Sequence, residues 1–124
     1  MTKDYIDSPR DSEGHGTHAA SIATGNPVKM ASMLGFAQGT IRGGVPSARI
    51  AVYKVCWATC FDANILHAFD DAIADGVDLL SVSIGGDSIE NIHLTDGISV
   101  GAFHAVRHGV LTVVAAGNSG PRPS

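Results

Sequence analysis

Two side chains in this sequence have surroundings that suit hydrolytic chemistry, and they lie near opposite ends of the chain. His15 stands between Gly14 and Gly16 at the start of a short helical pattern. A helix N-terminus disfavours the charged imidazolium and fixes the ring direction, so His15 is a candidate general base, the alternative being an ordinary turn histidine. Asn118 projects from a loop of small residues, where its amide could donate to a developing oxyanion or could simply favour a turn.

A third feature lies between them, where an apolar strand pattern ends at Ser83, Ile84 and Gly85. Main-chain groups left unpaired at such a point can hydrogen-bond to an extended peptide, which then adds to the sheet as a strand. An ordinary exit from a strand into a turn explains the same residues. These three features are each weak alone.

The elements that must position these residues alternate between helix and strand. Helical patterns run from His15 to Gly25, from Asp62 as N-cap to Gly76, and from Thr95 or Asp96 to Gly109. Apolar, β-branched runs predict strands over Arg49–Val55, Val77–Ile84 and Val110–Ala115. A stretch of mixed composition predicts a long surface loop over Val28–Thr40.

This order predicts one α/β domain with an open parallel sheet and helices on both faces, because each helix between strands has the length of a crossover connection. In such sheets functional groups gather beyond the carboxyl ends of the strands. Ser83–Gly85 and the residues around Asn118 lie at two such ends.

Composition excludes several classes of partner. The net charge is −4 and the eight Lys and Arg residues are scattered, so nothing resembles a basic stripe for nucleic acid. The longest apolar run, residues 110–116, is far shorter than the roughly 18 residues that a membrane span requires. The polar first ten residues contain no apolar stretch typical of a secretory signal.

Cys56 and Cys60 are the two cysteines of the chain, and they flank Trp57 at a spacing that a curled loop could close into a disulfide. Two free thiols at a strand end are the alternative.

Together the motifs resemble a known family. The segment Asp11-Ser12-Glu13-Gly14-His15-Gly16-Thr17-His18 is similar to the catalytic-histidine segment of the subtilisin family, and Ala115-Ala116-Gly117-Asn118 resembles its oxyanion segment. Residues 44–57 and 69–78 resemble the plant subtilases of the cucumisin-like group.

The resemblance implies a subtilisin-like, three-layer fold and a serine endopeptidase that acts on polypeptides without a cofactor or metal. It implies that His15 is the general base and Asn118 the oxyanion donor. Ser83, Ile84 and Gly85 would pair with the substrate backbone, and Ala115, Ala116 and Gly117 would line the specificity pocket. The full-length relatives implied are secreted to the apoplast or cell wall.

Two parts of the subtilisin triad are not recognisable. No Asp-Thr-Gly or Asp-Ser-Gly precedes His15, and no Gly-Thr-Ser-Met-like segment follows Asn118. We therefore expect residues 1–124 to be the part of a catalytic domain from the histidine to the oxyanion asparagine, inactive unless the remainder of the domain is its partner. A truncated, non-catalytic remnant or interaction module is the main alternative.

Two further classes compete with the peptidase prediction. A metal-dependent hydrolase could use His15 with His18 or His104 with His108, but no carboxylate completes a zinc-protease pattern. A nucleotide-binding module would suit the alternation of elements, but no glycine-rich phosphate-binding turn follows a strand.

Overall fold

The computed structural model describes residues 8–85, 96–118 and 120. Contacts divide these residues into two compact units. The N-terminal unit comprises the described part of Ile6–Val52, and the C-terminal unit comprises the described part of Tyr53–Ser124. Both units combine helix and strand, so the chain is of the α/β type.

The N-terminal unit begins with the predicted helix, α1 (His15–Thr24), and continues with two strands, β1 (Val28–Met33) and β2 (Phe36–Ile41). Helix α1 ends where Gly25 donates its N–H to the carbonyl of Ser21 at 2.9 Å. A Cβ at Gly25 would lie 2.5 Å from that same carbonyl oxygen, so only glycine fits this exit from the helix.

The prediction of a surface loop over Val28–Thr40 is wrong, because β1 and β2 form an antiparallel hairpin. Met33 pairs with Phe36, and the two residues between them, Leu34 and Gly35, have φ angles of 50° and 90°. Two successive residues with positive φ are typical of the turn that matches the twist of a hairpin. Asn-Gly is the usual signal for this turn, and Leu34-Gly35 lacks it.

After the hairpin the chain returns to the end of α1. Gly43 donates its N–H to the carbonyl of Gly25 at 2.8 Å, and Gly44 and Val45 donate to Ile22 and Ala23 at 2.9 Å each. A Cβ at Gly43 would lie 2.3 Å from the nitrogen of Gly25, so the close approach of these two backbones requires glycine. This ladder of hydrogen bonds ties β2 back to α1.

The C-terminal unit contains α2 (Asp62–Ala74), β3 (Leu79–Val82), α3 (Gly97–Arg107) and β4 (Leu111–Val114). Strands β3 and β4 pair in parallel, from Leu79 with Leu111 to Val82 with Val114. The parallel pairing predicted for these two strands is confirmed. Parallel strands need a crossover connection, and the connection between β3 and β4 includes α3. No helix among the described residues has both the length and the apolarity to cross a membrane.

The predicted strand over Arg49–Val55 is not formed, since these residues pair with no strand in the part of the chain that the structure describes. A β-branched run favours extended backbone, but a strand also needs a neighbour to accept and donate its main-chain hydrogen bonds.

The core of the C-terminal unit lies between α2, α3 and β4. Ile65, Phe69, Ala105 and Val110 are each less than a tenth exposed, and Leu80 and Val82 of β3 pack against them. Helices α2 and α3 come close because Gly101 faces the ring of Phe69, and a Cβ there would lie 2.2 Å from Cδ2. This core holds β3 and β4 beside each other, and the predicted substrate-binding segments follow directly from them.

Candidate active site

His15 is the first residue of α1, as the helical pattern predicts. The N-cap is Gly14, in the left-handed conformation with φ 92°, and it has no side chain with which to cap the helix. The first intrahelical bond runs from the N–H of His18 to the carbonyl of Gly14 at 2.9 Å. His15 is exposed, and its imidazole has no hydrogen-bond partner within the described residues.

The cap of α1 comes from Asp11, three residues before Gly14. Its Oδ1 accepts the N–H groups of Glu13 at 2.9 Å and Gly14 at 2.8 Å. Its Oδ2 accepts both the N–H and the hydroxyl of Thr17, each at 2.7 Å. These hydrogen bonds, above all that of the Thr17 hydroxyl, hold the pKa of Asp11 well below its usual range.

Sequence reasoning did not assign Asp11 a role. The position of Asp11, three residues before Gly14, was an available signal. Glycine has no side chain to accept the free N–H groups of the first helical turn, and an aspartate just before it can accept them.

In the C-terminal unit, two segments predicted to bind substrate lie side by side. Ala115 donates its N–H to the carbonyl of Val82 at 3.0 Å, which continues the β3–β4 ladder one step beyond the strands. A Cβ built on Gly85 would lie 3.8 Å from the Cα of Gly117. The pairing therefore brings Ser83, Ile84 and Gly85 against Ala115, Ala116 and Gly117.

Asn118 follows directly in the chain and is exposed. Gly117 before it has φ 87°, a conformation that favours glycine and turns the chain away from the strand direction. His15 belongs to the N-terminal unit and Asn118 to the C-terminal unit. That the two face one groove stays a prediction.

The histidines of the rival metal prediction lie on two helices. His15 and His18 are in α1, while His104 in α3 and His108 at its end have ring centroids 4.4 Å apart. His108 Nδ1 lies 3.0 Å from the carbonyl oxygen of His104. The described residues contain no group of three or more His, Cys, Asp or Glu side chains placed to hold a metal ion.

Cys56 and Cys60 are joined by a disulfide, with their Cα atoms 4.3 Å apart. An isolated bridge pairs the same two residues, and the N–H of Trp57 donates to the carbonyl of Thr59 at 3.3 Å. The disulfide therefore closes a tight loop just before α2.

A shallow cavity of about 260 Å³ lies beside this loop. Its lining includes Tyr53, Lys54, Trp57, Asn64, His67 and Asp71, and it contains none of the site residues predicted from the sequence. Several of its side chains contact one another: His67 Nδ1 lies 3.1 Å from Asp71 Oδ2, and Lys54 Nζ lies 5.5 Å from the centre of the Trp57 ring. Tyr53 donates its hydroxyl to Asp75 at 2.7 Å, which raises the pKa of Tyr53.

Comparison with known proteins decides the family. The model of the subtilase family, Peptidase_S8, matches residues 1–124. The chain belongs to the subtilase family.

Similar proteins come from plants. Subtilisin-like protease SBT4.3 of Arabidopsis thaliana is 59% identical over 117 residues, which are 94% of this chain and 16% of that protease. Subtilisin-like protease SBT4.8 of the same plant is 56% identical over 124 residues, 98% of this chain and 17% of the relative. Subtilisin-like serine-protease S of Lotus japonicus is 53% identical over 116 residues, 93% of this chain and 15% of the relative.

This subtilase chain is thus of the plant, cucumisin-like type, and the resemblance of its motifs to that group is confirmed. The family supports the class of serine-type peptidase and polypeptides as the class of substrate. The chain spans between 15% and 18% of the length of the relatives it matches, so the activity of a whole protease is a matter for proposal.

Proposed function

We propose that this chain supplies the general base, the oxyanion donor and the substrate-binding strands of a subtilisin-like serine endopeptidase. The observation that supports this best is the approach of Gly85 to Gly117, which places Ser83–Gly85 beside Ala115–Gly117 just beyond the carboxyl ends of β3 and β4. Functional groups of parallel sheets gather at this edge. One segment can pair with an extended peptide while the other, with small side chains, leaves room for a substrate side chain.

The proposed reaction assigns one role to each polar group. His15 takes the proton of a serine hydroxyl as that oxygen attacks the carbonyl carbon of the scissile peptide bond, and Asn118 donates a hydrogen bond to the oxyanion that forms. His15 then returns the proton to the leaving amine as the carbon–nitrogen bond breaks. In the second half of the reaction, water attacks the ester carbon of the acyl-enzyme while His15 takes its proton. His15 returns that proton to the serine oxygen as the ester bond breaks. No cofactor or metal takes part.

The finer architecture belongs to the same proposal. We assign β3 and β4 to an open parallel sheet with helices on both faces in three layers, which is the fold that membership of the subtilase family implies. Residues 1–124 would be the portion of the catalytic domain from His15 to Asn118, and other segments would complete the sheet. The remainder of such a domain would be the partner of this chain.

The Asp and Ser of the triad are assigned to that remainder, because no residue of this chain stands in their sequence context. A polypeptide of these 124 residues alone should therefore not hydrolyse peptides. The proposed location is outside the cell, in the apoplast or cell wall. Besides family membership, the Cys56–Cys60 disulfide supports it, because disulfides persist in oxidising compartments.

The experiment that tests the proposal is a segment exchange. The chain replaces the matching segment of the Arabidopsis SBT4.8 protease, which it resembles at 56% identity, and hydrolysis of a fluorogenic peptide is measured. His15→Ala should abolish turnover, with a loss of about 10⁶-fold, and Asn118→Ala should lower kcat by about 10²- to 10³-fold. Both magnitudes are those established for subtilisin itself and are not worked from this structure.

Matched controls come from an exposed histidine and an exposed asparagine outside the proposed site. His108→Ala and Asn64→Ala should leave kcat within about twofold, since surface changes seldom disturb a distant site. A secreted, folded exchange protein that keeps activity after His15→Ala would contradict the role of His15. Phosphonate-sensitive cleavage by the isolated 124 residues would contradict the assignment of the serine to another segment.

A further inference from the structure

Asp11 lies just ahead of the proposed general base without touching its ring. Within the described residues, the carboxylate accepts hydrogen bonds from the main chain and from Thr17: Oδ1 from the N–H groups of Glu13 and Gly14, and Oδ2 from the N–H and hydroxyl of Thr17. None goes to the imidazole of His15. Asp11 is therefore not placed as a triad aspartate, and its contacts require another explanation.

The donors to Asp11 bracket His15 on both sides. Gly14 precedes the histidine directly and Thr17 follows it by two residues, so one carboxylate holds the main chain on both sides of His15. The main chain needs such support here because Gly14 has a φ of 92° and no side chain with which to cap α1. A glycine is also the most mobile residue at such a position.

Thr17 supplies the donors on which this arrangement depends. Space does not require glycine at position 16, because a Cβ there would lie 3.7 Å from Asp11 Oδ2, an ordinary van der Waals contact. Thr17 donates twice to that oxygen, through its main chain and its side chain. Serine could donate in the same two ways, whereas valine has a similar shape and only the main-chain donor.

We propose that Asp11, together with Thr17, is a positioning residue for His15: it fixes the backbone of α1 so that the imidazole points in the direction the proposed reaction needs. This inference rests on the proposed function, and it adds two residues to the site. Because the carboxylate stays ionised throughout the range in which a neutral histidine acts as base, the support does not weaken there. Small displacements of a catalytic group are costly, about 10²-fold for a misplacement of roughly 1 Å.

The test uses the same segment exchange in SBT4.8. Turnover is expressed per active serine, counted by titration with a serine-directed phosphonate. Asp11→Ala should lower kcat by about 10- to 100-fold with KM within about twofold, because substrate binding is retained while the base is misplaced. Thr17→Val should lower kcat in the same way but less, and Thr17→Ser should lose less than Thr17→Val because it keeps the hydroxyl donor.

A merely structural role would give a different result. If Asp11 only helped folding, Asp11→Ala would lower the number of titratable sites and leave kcat per site unchanged, and that outcome overturns the inference. Equal losses from Thr17→Ser and Thr17→Val would overturn the part assigned to the hydroxyl. If the unmodified exchange protein is inactive, or His15→Ala leaves it active, the proposed function fails instead.

Hydrogen exchange of the exchange protein tests the geometry without activity. The segment that contains the Gly14 and Thr17 amides should exchange at least about tenfold faster in Asp11→Ala, because both amides lose their acceptor. Unchanged exchange in this segment would overturn the inference whatever the peptidase assay shows.

Discussion

The contact between Gly101 and Phe69 offers a sharp test of the core of the C-terminal unit. Gly101 lies in the middle of α3, and Phe69, on α2, is only 4% exposed. A Cβ at Gly101 would lie 2.2 Å from Cδ2, 2.6 Å from Cε2 and 2.6 Å from Cγ of that ring. Gly101→Ala is therefore the smallest change that forces α2 and α3 apart.

Two effects of opposite sign set the magnitude. Alanine in a helix interior is more stable than glycine by about 0.5–1 kcal/mol. Against this, carbon atoms pack at about 3.5–4.0 Å, so the ring of Phe69 would have to move by more than about 1 Å inside a packed core. Overpacking of this kind costs about 1–3 kcal/mol. These ranges leave a net loss between about 0 and 2.5 kcal/mol in the free energy of unfolding. Because a separation of 2.2 Å is far inside the contact distance, we expect a loss in the upper half of that range.

The assay is urea unfolding of the 124-residue chain at low micromolar concentration, followed by circular dichroism and by fluorescence of Trp57, the single tryptophan. Phe69→Leu removes ring atoms from the contact, so the double variant should lose less than the sum of the two single variants, with a coupling of about 0.5–3 kcal/mol. A Gly101→Ala chain that is as stable as the parent, or more stable, would refute the reasoning.

Two further predictions concern the helix N-termini. Asp96 caps α3 by accepting both the N–H and the hydroxyl of Ser99 at 2.9 Å. Asp96→Ala should therefore lower the free energy of unfolding by about 1 kcal/mol, and Asp96→Ser should lower it less because serine can also cap a helix. Equal losses for the two variants in urea unfolding would contradict the cap. The pKa of Asp11 is lower in the folded chain than the value of about 3.9 in an unfolded one, so its stabilisation of α1 is complete above about pH 4 and declines as the pH falls further. The amide shift of Thr17 reports this titration, and an inflection at pH 4 or above would be the contrary result.

The sequence predicts the helices better than the strands, for physical reasons. Helix α2 keeps its apolar residues on one face and ends where Gly76 has a φ of 71°, and α3 ends where Gly109 has a φ of 81°. These signals are local. One detail differs, because Asp62 begins α2 as its first residue, while Phe61 is the N-cap.

Strands depend on partners that lie elsewhere in the chain. The hairpin of β1 and β2 was missed because its turn uses Leu34-Gly35, and the strand expected over Arg49–Val55 is absent because composition cannot supply a neighbour. Strands β3 and β4 were predicted, although both are shorter than the apolar runs that contain them.

The residues of the candidate site also differ in how far the sequence predicts them. The order of motifs along the chain led to His15, to Asn118 and to the two segments that meet at Gly85 and Gly117. The contacts of Asp11 are harder to predict, because they depend on a φ of 92° at Gly14. Glycine permits this angle but does not dictate it.

The register of β3 and β4 also has a consequence for when the edge proposed to bind a peptide forms during folding. Leu79 pairs with Leu111, thirty-two positions later, so the chain must bring the two ends of a long loop together before the first hydrogen bond of this ladder can form. Closure of such a loop is slow compared with helix formation. Its entropy cost is offset only when the strands pair and pack against the helices. A nascent or partly folded chain would therefore form its helices before β3 and β4 pair, so the edge proposed to bind a peptide would form late in folding.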